Sequence, residues 1–171
     1  MQFWYAKSGL LGNLRFGFDE NAIGFDSNMH SKNGSIVSIE FIKGAVGRFS
    51  KTIDFQTFEN AIKSYEAGHL AAFDKLYVHF SGTDFQQRVL MEMRKIPVGS
   101  VYTYSDLAVE SGNPKAFRAV ATVCSTNSIP LLLPCHRVVP SNLTIGNYAS
   151  RTIKNGAELK EKLLIHEQAI D

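Results

Sequence analysis

The sequence predicts a protein of mixed α/β (α+β) class, with a small α/β N-terminal domain over residues 1–80 and a mainly α-helical C-terminal domain over residues 81–171. Near the start of the chain apolar residues alternate as they do in strands, whereas after Gly82 they follow a helical spacing. The 171 residues, 44% of them hydrophobic and 20% charged, suffice for one ordinary domain or two small ones.

The N-terminal domain is predicted to contain a hairpin, a further strand and one helix. Apolar side chains alternate over residues 14–18, and a second β-rich run covers residues 36–41. Glycines and an asparagine within residues 9–13 mark a hairpin turn. The segment 55–66 predicts a helix, because four large apolar residues share one face of it: Phe55, Phe58, Ile62 and Tyr65. Nothing in this half of the chain indicates chemistry.

The C-terminal domain opens with clear helix-start signals. Thr83 and Gln86 form a possible capping box for its first helix. A short strand-like segment over residues 101–104 follows, and Thr103 can cap a brief helix through residues 106–110. Both caps predict that this half of the chain is built mainly from short helices.

A second short helix, predicted over residues 114–124, completes a helix-turn-helix pattern. Gly112 breaks the preceding helix, and Asn113 with Pro114 supplies an N-cap and a first-turn proline. The pattern alone is weak evidence of DNA binding, because packed pairs of short helices are common. The second helix carries a lone Arg118 among small side chains, those of Ala116, Ala119 and Ala121. Tight helix packing beside a solvated arginine is the alternative interpretation.

The last predicted element is an amphipathic helix over residues 157–168. It places Leu159, Leu163 and His166 on one side, which is expected to face the core. Taken alone, the His166-Glu167 pair is interpreted as a solvated helix end. The alternative is a carboxylate that orients a histidine.

Composition excludes several classes of protein. The net charge of +2 falls short of the strongly basic surface that indicates nucleic-acid binding by itself. The first ten residues lack the apolar core of a signal peptide, and no apolar stretch approaches the ~20 residues that span a bilayer, so a cytoplasmic protein is expected. The two cysteines are expected to be free thiols, and no paired spacing of histidine and cysteine predicts a metal site.

The segment 130–140, which reads PLLLPCHRVVP, places Cys135, His136 and Arg137 in an apolar run. Neighbours on a regular strand point to opposite faces, but three prolines make a regular strand unfavourable and permit a turn. An ordinary thiol is only a few per cent ionised at neutral pH, so an adjacent imidazole would increase the reactive fraction. Cys124, with small and apolar neighbours, is interpreted as a buried small hydrophobe.

Several motifs together resemble the O6-alkylguanine-DNA alkyltransferases. They are YSDLA at 104–108, GNPKAFRAV at 112–120, Asn127, PCHRVV at 134–139 and GNY at 146–148. The match runs in order through nearly all of residues 79–148, and PCHRV is highly specific. The resemblance implies a ribonuclease-H-like sheet in the N-terminal domain, no cofactor, and a monomer that is cytoplasmic or associated with the nucleoid.

The resemblance also implies a function: direct and irreversible transfer of an alkyl group from O6-alkylguanine, with O4-alkylthymine left open, to a cysteine of the protein. The partner is double-stranded DNA, bound through the minor groove with the damaged base flipped out. The thioether is not hydrolysed, so one molecule repairs one lesion.

Site residues follow from the resemblance position by position. The predicted catalytic residues are Cys135 as nucleophile, with His136, acting through a water, and Glu167 as its activators. Arg118 is expected to fill the space of the extruded nucleotide, beside the DNA-contacting residues Tyr104, Lys115, Ala116 and Ala119. The pocket is assigned to Tyr104, Val138, Tyr148, Ala149 and Ser150, where the Val138 carbonyl accepts from the exocyclic amine and the last two residues narrow the site. Asn127 and Arg137 are assigned structural roles.

Two rival functions remain at this point. One is a lesion-binding protein of the same fold that lacks transfer, although its relatives replace the cysteine that is present here as Cys135. The other is a cysteine hydrolase that uses Cys135 and His136. A hydrolase turns over, whereas the alkyltransferase stops after one equivalent.

Overall fold

A computed structural model describes residues 2–26, 31–42, 53–148 and 155–171. The chain forms two compact units, Met1–His79 and Phe80–Asp171. The first contains a sheet and one helix and the second is mainly helical, which confirms the predicted mixed α/β class. Within the described ranges, no helix is long and apolar enough to cross a membrane.

The first unit is built on an antiparallel three-stranded sheet in the order β1-β2-β3. Its elements are β1 (Gln2–Ser8), β2 (Gly12–Phe25), β3 (Ser31–Ile42) and the helix α1 (Ile53–Glu66). Phe16 pairs with Ile39, whereas the next apolar residue of β2, Phe18, pairs with Ile36 because the register shifts between them. This irregularity places Ile36 and Ile39 in the core although they are three residues apart.

Aromatic packing joins the helix α1 to this sheet. Phe55, Phe58, Ile62 and Tyr65 are all at most 3% exposed, which confirms the predicted helical face. The rings of Phe16 and Phe58 lie with their centroids 3.9 Å apart. Large buried rings of this kind contribute much of the hydrophobic stabilisation of a small unit.

The described part of the second unit contains four α-helices and a two-stranded parallel ladder. The helices are α2 (Asp84–Arg94), α3 (Tyr104–Glu110), α4 (Phe117–Ser125) and α5 (Gly156–His166), and the strands are β4 (Tyr102–Thr103) and β5 (Val138–Val139). Thr83 and Gln86 form the predicted capping box at the start of α2. Thr103 caps α3 in the same way with Asp106. Both predicted caps are confirmed. Each depends only on residues within four positions of one another, which is why the sequence could reveal them.

The start of α4 differs from the prediction. Asn113 and Pro114 were expected to open this helix, but it begins at Phe117 with Ala116 as its N-cap. The intervening residues form a turn, closed by a hydrogen bond from the Ala116 N–H to the Asn113 carbonyl, 2.9 Å long. The first helical hydrogen bond of α4 runs instead from the Val120 N–H to the Ala116 carbonyl.

The buried face of α5 also differs from the predicted one. Leu163 is fully buried, but Leu159 and His166 are only half-buried. The buried side consists of Lys160, Leu163, Leu164 and Glu167, at helical spacing. Lys160 and Glu167 are therefore buried at positions where the hydrophobic pattern predicts exposed side chains.

Candidate active site

The turn that contains Cys135 is positioned by the strands β4 and β5 and by the start of α3. Cys135, His136 and Arg137 form a single 3₁₀ turn, so the backbone is irregular where the prolines permitted it. Strand β5 follows this turn directly and pairs in parallel with β4, with Tyr102 opposite Val138. Because α3 starts immediately after β4, this pairing fixes the position of Tyr104 relative to the cysteine turn.

A cavity of about 360 Å³ opens over this turn. It brings together three predicted site residues, Cys135, Tyr104 and Tyr148. The other lining residues are Ala121, Cys124, Ser125, Pro140, Gly146 and Asn147. Ala149 and Ser150, which were expected to narrow the pocket, lie outside the described residues.

Tyr148 and the start of α5 approach each other closely. A Cβ atom at Gly156 would overlap the carbonyl oxygen of Tyr148, so only glycine fits at this position. The Tyr148 ring also meets the His136 ring edge-on, with centroids 5.9 Å apart. The cavity wall is therefore connected to both the cysteine turn and the last helix.

The Cys135 thiol is buried and has a polar neighbour. Asn127 donates one amide hydrogen to the Leu133 carbonyl, 2.8 Å away, and the same nitrogen lies 3.1 Å from the Cys135 sulfur. Its side-chain oxygen accepts from the Ile129 N–H at 3.0 Å. Asn127 thus joins the end of α4 to the cysteine loop and also contacts the sulfur, a contact that the sequence did not predict.

Burial raises the pKa of the Cys135 thiol, and the Asn127 amide and the Lys160 ammonium group oppose this rise only in part. The resting group is therefore a thiol at neutral pH, and a base has to remove its proton when it reacts.

Glu167 is the centre of a buried ionic cluster. Its carboxylate receives two hydrogen bonds from Arg137, both 2.8 Å long, and lies 3.1 Å from Nε2 of His136. Arg137 also donates to the Ile96 carbonyl at 2.7 Å. All three ionisable side chains are at most 9% exposed. A bidentate pair with a third partner offsets much of the free energy that burying these charges would otherwise cost.

This cluster determines the protonation state of His136. Burial lowers its pKa by more than the hydrogen bond to Glu167 raises it, so the ring is neutral at neutral pH. Burial alone would raise the pKa of Glu167, but hydrogen bonds from Arg137 and His136 outweigh it and hold that pKa well below its usual range. An ionised carboxylate only accepts, so Nε2 of His136 carries the hydrogen and Nδ1 has the lone pair. Among the described residues, none hydrogen-bonds to Nδ1.

Lys160 is a site residue that the sequence interpretation missed. It is fully buried in α5 and donates to the Val138 carbonyl at 2.6 Å. Burial lowers its pKa to about 8, while the neighbouring cysteines act in the opposite direction. The carbonyl that the resemblance assigns to guanine therefore already accepts one hydrogen bond, and Val138 itself is fully buried and is not among the residues that line the cavity. The spacing of Lys160, Leu163, Leu164 and Glu167 was the signal that could have identified it.

The predicted DNA-contacting residues surround the start of α4. Lys115, Arg118 and Ala119 are exposed and Ala116 is half-buried. The Arg118 guanidinium lies 5.7 Å from the centroid of the Phe117 ring. Arg118 is thus solvated, as both interpretations of the sequence required, and Phe117 is an exposed neighbour that the sequence did not single out.

Cys124 differs from its predicted role as a buried hydrophobe. It is only half-buried, and it lines the same cavity as Cys135. Burial of the sulfur raises the pKa of Cys124 well above its usual value, so it stays a neutral thiol at neutral pH. Within the described ranges, no group of three or more side chains can hold a metal ion.

Comparison with known proteins matches most of the second unit to one family. The family described as 6-O-methylguanine DNA methyltransferase, DNA binding domain, matches residues 84–169. A probable methylated-DNA–protein-cysteine methyltransferase of Acanthamoeba polyphaga mimivirus is 39% identical over 107 residues, 63% of this chain and 68% of that protein. The methylated-DNA–protein-cysteine methyltransferase of Salmonella typhimurium is 42% identical over 106 residues, 62% of this chain and 59% of its own length.

Longer matches extend into the first unit. The methylated-DNA–protein-cysteine methyltransferase of Saccharomyces cerevisiae is 34% identical over 139 residues, 81% of this chain and 69% of that protein. The crystal structure of Mycobacterium tuberculosis O6-methylguanine methyltransferase is 25% identical, covers 98% of this chain and 94% of its own, and has a TM-score of 0.74. Both units therefore have counterparts in that structure.

Proposed function

The chain belongs to the 6-O-methylguanine DNA methyltransferase family, and on this premise we propose that it repairs DNA by moving an alkyl group from O6 of guanine onto Cys135. The observation that carries this proposal is the buried cysteine beside a histidine whose Nε2 is bonded to a carboxylate. That arrangement leaves a neutral imidazole nitrogen available as a base next to a protonated thiol.

The reaction begins with the proton of the Cys135 thiol. His136 accepts it at Nδ1 through a water molecule, while the Glu167 carboxylate stabilises the positive ring that results. The thiolate attacks the alkyl carbon in line with the bond to O6. A carbon–sulfur bond forms, the carbon–oxygen bond breaks, and its electron pair leaves on the guanine, which takes up a proton to become ordinary guanine.

The product is a thioether, which is inert to hydrolysis by a carboxylate or an imidazole. Each molecule therefore reacts once, and no cofactor enters the balance of the reaction. Asn127 and Lys160 support this step: the first places an N–H against the sulfur and the second brings a positive charge to the cysteine turn. Both favour the thiolate as it forms.

We also propose how DNA reaches the cysteine. Double-stranded DNA binds as substrate along α4, through its minor groove, and the damaged base is extruded into the cavity that Tyr104 and Tyr148 line. Arg118 enters the base stack in its place, with Lys115, Ala116 and Ala119 at the same surface. We propose that the protein acts as a monomer that is cytoplasmic or associated with the nucleoid, because its substrate is DNA.

The decisive experiment mixes the protein with a duplex that contains O6-methylguanine labelled in its methyl group. We expect one equivalent of label at most, on the peptide that contains Cys135, with Cys124→Ser unchanged and Cys135→Ser inactive but still able to bind the duplex. A label on the Cys124 peptide would refute the assignment. Product in excess of the protein would indicate a hydrolase, and binding without transfer would indicate a lesion-binding protein.

A further inference from the structure

Phe117 is an exposed aromatic residue at the first position of α4. Its side chain is 44% exposed, whereas the residues of the same helix that face the core, Val120 and Val123, are at most 5% exposed. The exposed part of this large ring is apolar surface that a bound partner can remove from water.

The helical spacing places Phe117 on the same side of α4 as two residues that line the cavity. Phe117 precedes Ala121 by four residues and Cys124 by seven, so the three residues share one stripe of the helix. Ala121 and Cys124 both line the cavity over Cys135. The ring therefore stands one turn beyond the residues that form the cavity wall.

Arg118 lies on the neighbouring stripe. It precedes Ala121 by three residues and Ser125 by seven, and both of these residues line the cavity. Its guanidinium lies 5.7 Å from the Phe117 ring centroid, within the range of a cation–π contact. The start of α4 thus presents a cation and an aromatic ring side by side at the rim of the site.

We propose that Phe117 is an apolar wedge that packs against the bases next to the extruded nucleotide when lesion-containing duplex DNA is bound. This inference rests on the proposed function, because it uses the same DNA-binding surface. Phenylalanine is one of the side chains that minor-groove proteins insert between base steps. Its neighbours Lys115 and Arg118 are exposed cations, which fit a phosphate backbone rather than an apolar protein partner.

A wedge has a physical task that Arg118 alone does not fulfil. Extruding a nucleotide removes the stacking contacts of the bases on either side, and an aromatic ring replaces such contacts with its own flat surface. The arginine fills the vacated position, and the ring covers an adjoining base. When the duplex arrives, the Phe117 surface leaves water, so the exposed ring favours the distorted DNA.

The test compares duplex with free base. Phe117→Ala is expected to slow methyl transfer from a duplex about tenfold, from the loss of one stacked ring, and to leave transfer from free O6-methylguanine base unchanged. Phe117→Leu should retain most of the rate, since it keeps an apolar side chain. Val109→Ala removes another exposed apolar side chain, 54% exposed on α3, and should change neither rate.

The free-base reaction shows that each variant is folded and that Cys135 is active. If the duplex rate of Phe117→Ala stays within about twofold of the wild type, the proposal is wrong. An equal loss with free base also refutes it, because the effect would then lie in the cavity. Absence of methyl on Cys135 in the wild type would instead refute the proposed function.

A second comparison separates a wedge from a support for Arg118. In an Arg118→Ala background, Phe117→Ala should still slow duplex repair at least about threefold. No further loss would mean that the ring acts only by holding the arginine, which contradicts a direct contact with DNA.

Discussion

The two units differ most in what they bury. The core of the first unit is aromatic and aliphatic, and its buried polar residues are small or few: Ser8, Asp26 and Ser35. Among its described residues, the second unit buries an imidazole and three charged side chains, those of His136, Arg137, Lys160 and Glu167. Burying charge is unfavourable unless each group is paired, so a cluster of this kind indicates a site under a chemical requirement rather than a packing solution.

The largest effect on transfer and stability is expected from a substitution in the buried ionic cluster of the second unit. Glu167→Gln removes the charge that balances Arg137 and the strong acceptor that holds Nε2 of His136. We expect methyl transfer to slow at least about 100-fold and the free energy of unfolding to fall by about 3–5 kcal/mol, because a buried cation is left unpaired. Quenched-reaction assays with labelled DNA measure the transfer rate, and chemical denaturation measures the free energy of unfolding.

Glu158 offers a matched control on the same helix. It is an exposed carboxylate that bonds to Lys162, so Glu158→Gln should leave both transfer and stability unchanged. If Glu167→Gln changes the transfer rate and the stability no more than Glu158→Gln does, the buried ionic cluster around Glu167 is required for neither.

The contrast also explains what the sequence could predict. The capping box at Thr83, the cap at Thr103 and the aromatic face of α1 were predicted correctly, because each depends on residues within one or two helical turns. The three prolines around Cys135 permitted the turn that the structure shows. Local pattern and burial agree at all of these positions.

The missed features depend on partners far away in the chain. Lys160 is buried because a carbonyl 22 residues earlier accepts its hydrogen. Glu167 was identified through the family resemblance, but its burial, which depends on an arginine 30 residues earlier, was not predicted. Hydrophobic periodicity assigns both residues to solvent, and this shifted the predicted face of α5. The Asn127 contact with sulfur was missed for the same reason, since it requires the loop to fold back.

A smaller effect is expected from Lys160→Met, which keeps the length of the side chain but removes the hydrogen bond to Val138 and the charge near Cys135. At pH 7 transfer should slow about tenfold. Because the pKa of Lys160 is about 8, the wild type loses this charge as the pH rises through 8. The ratio of the two rates should therefore approach one near the ordinary lysine pKa of 10.5.

Lys162→Met is the corresponding control, since Lys162 lies on the exposed side of α5. It should match the wild type across the same range of pH. A tenfold ratio that stays constant from pH 7 to the lysine pKa of 10.5 would mean that Lys160 acts through packing and not through its charge.

The buried histidine should give the second unit a sensitivity to acid. The folded pKa of His136 lies below its ordinary value of 6.5. A group with a lowered folded pKa contributes stability above its unfolded pKa and loses it as the pH falls through that value towards the folded pKa. The melting temperature of the wild type should thus fall from pH 7 to pH 5, and that of His136→Gln should fall less. Parallel curves would show that the histidine is not held neutral.

The smallest effect on the transfer rate is expected from a substitution in the aromatic core of the first unit. Phe58→Leu opens space against Phe16, whose ring centroid lies 3.9 Å away, and should lower the free energy of unfolding by about 1–2 kcal/mol. Exposed Phe3, at 47%, provides the control, since Phe3→Leu should leave stability almost unchanged. Circular dichroism during urea denaturation measures both changes. Transfer per folded molecule should equal that of the wild type in each variant, because the residues of the proposed reaction, Cys135, His136 and Glu167, all belong to the second unit. A slower transfer rate in Phe58→Leu, measured well below its unfolding transition, would show that the aromatic core of the first unit also controls the chemistry.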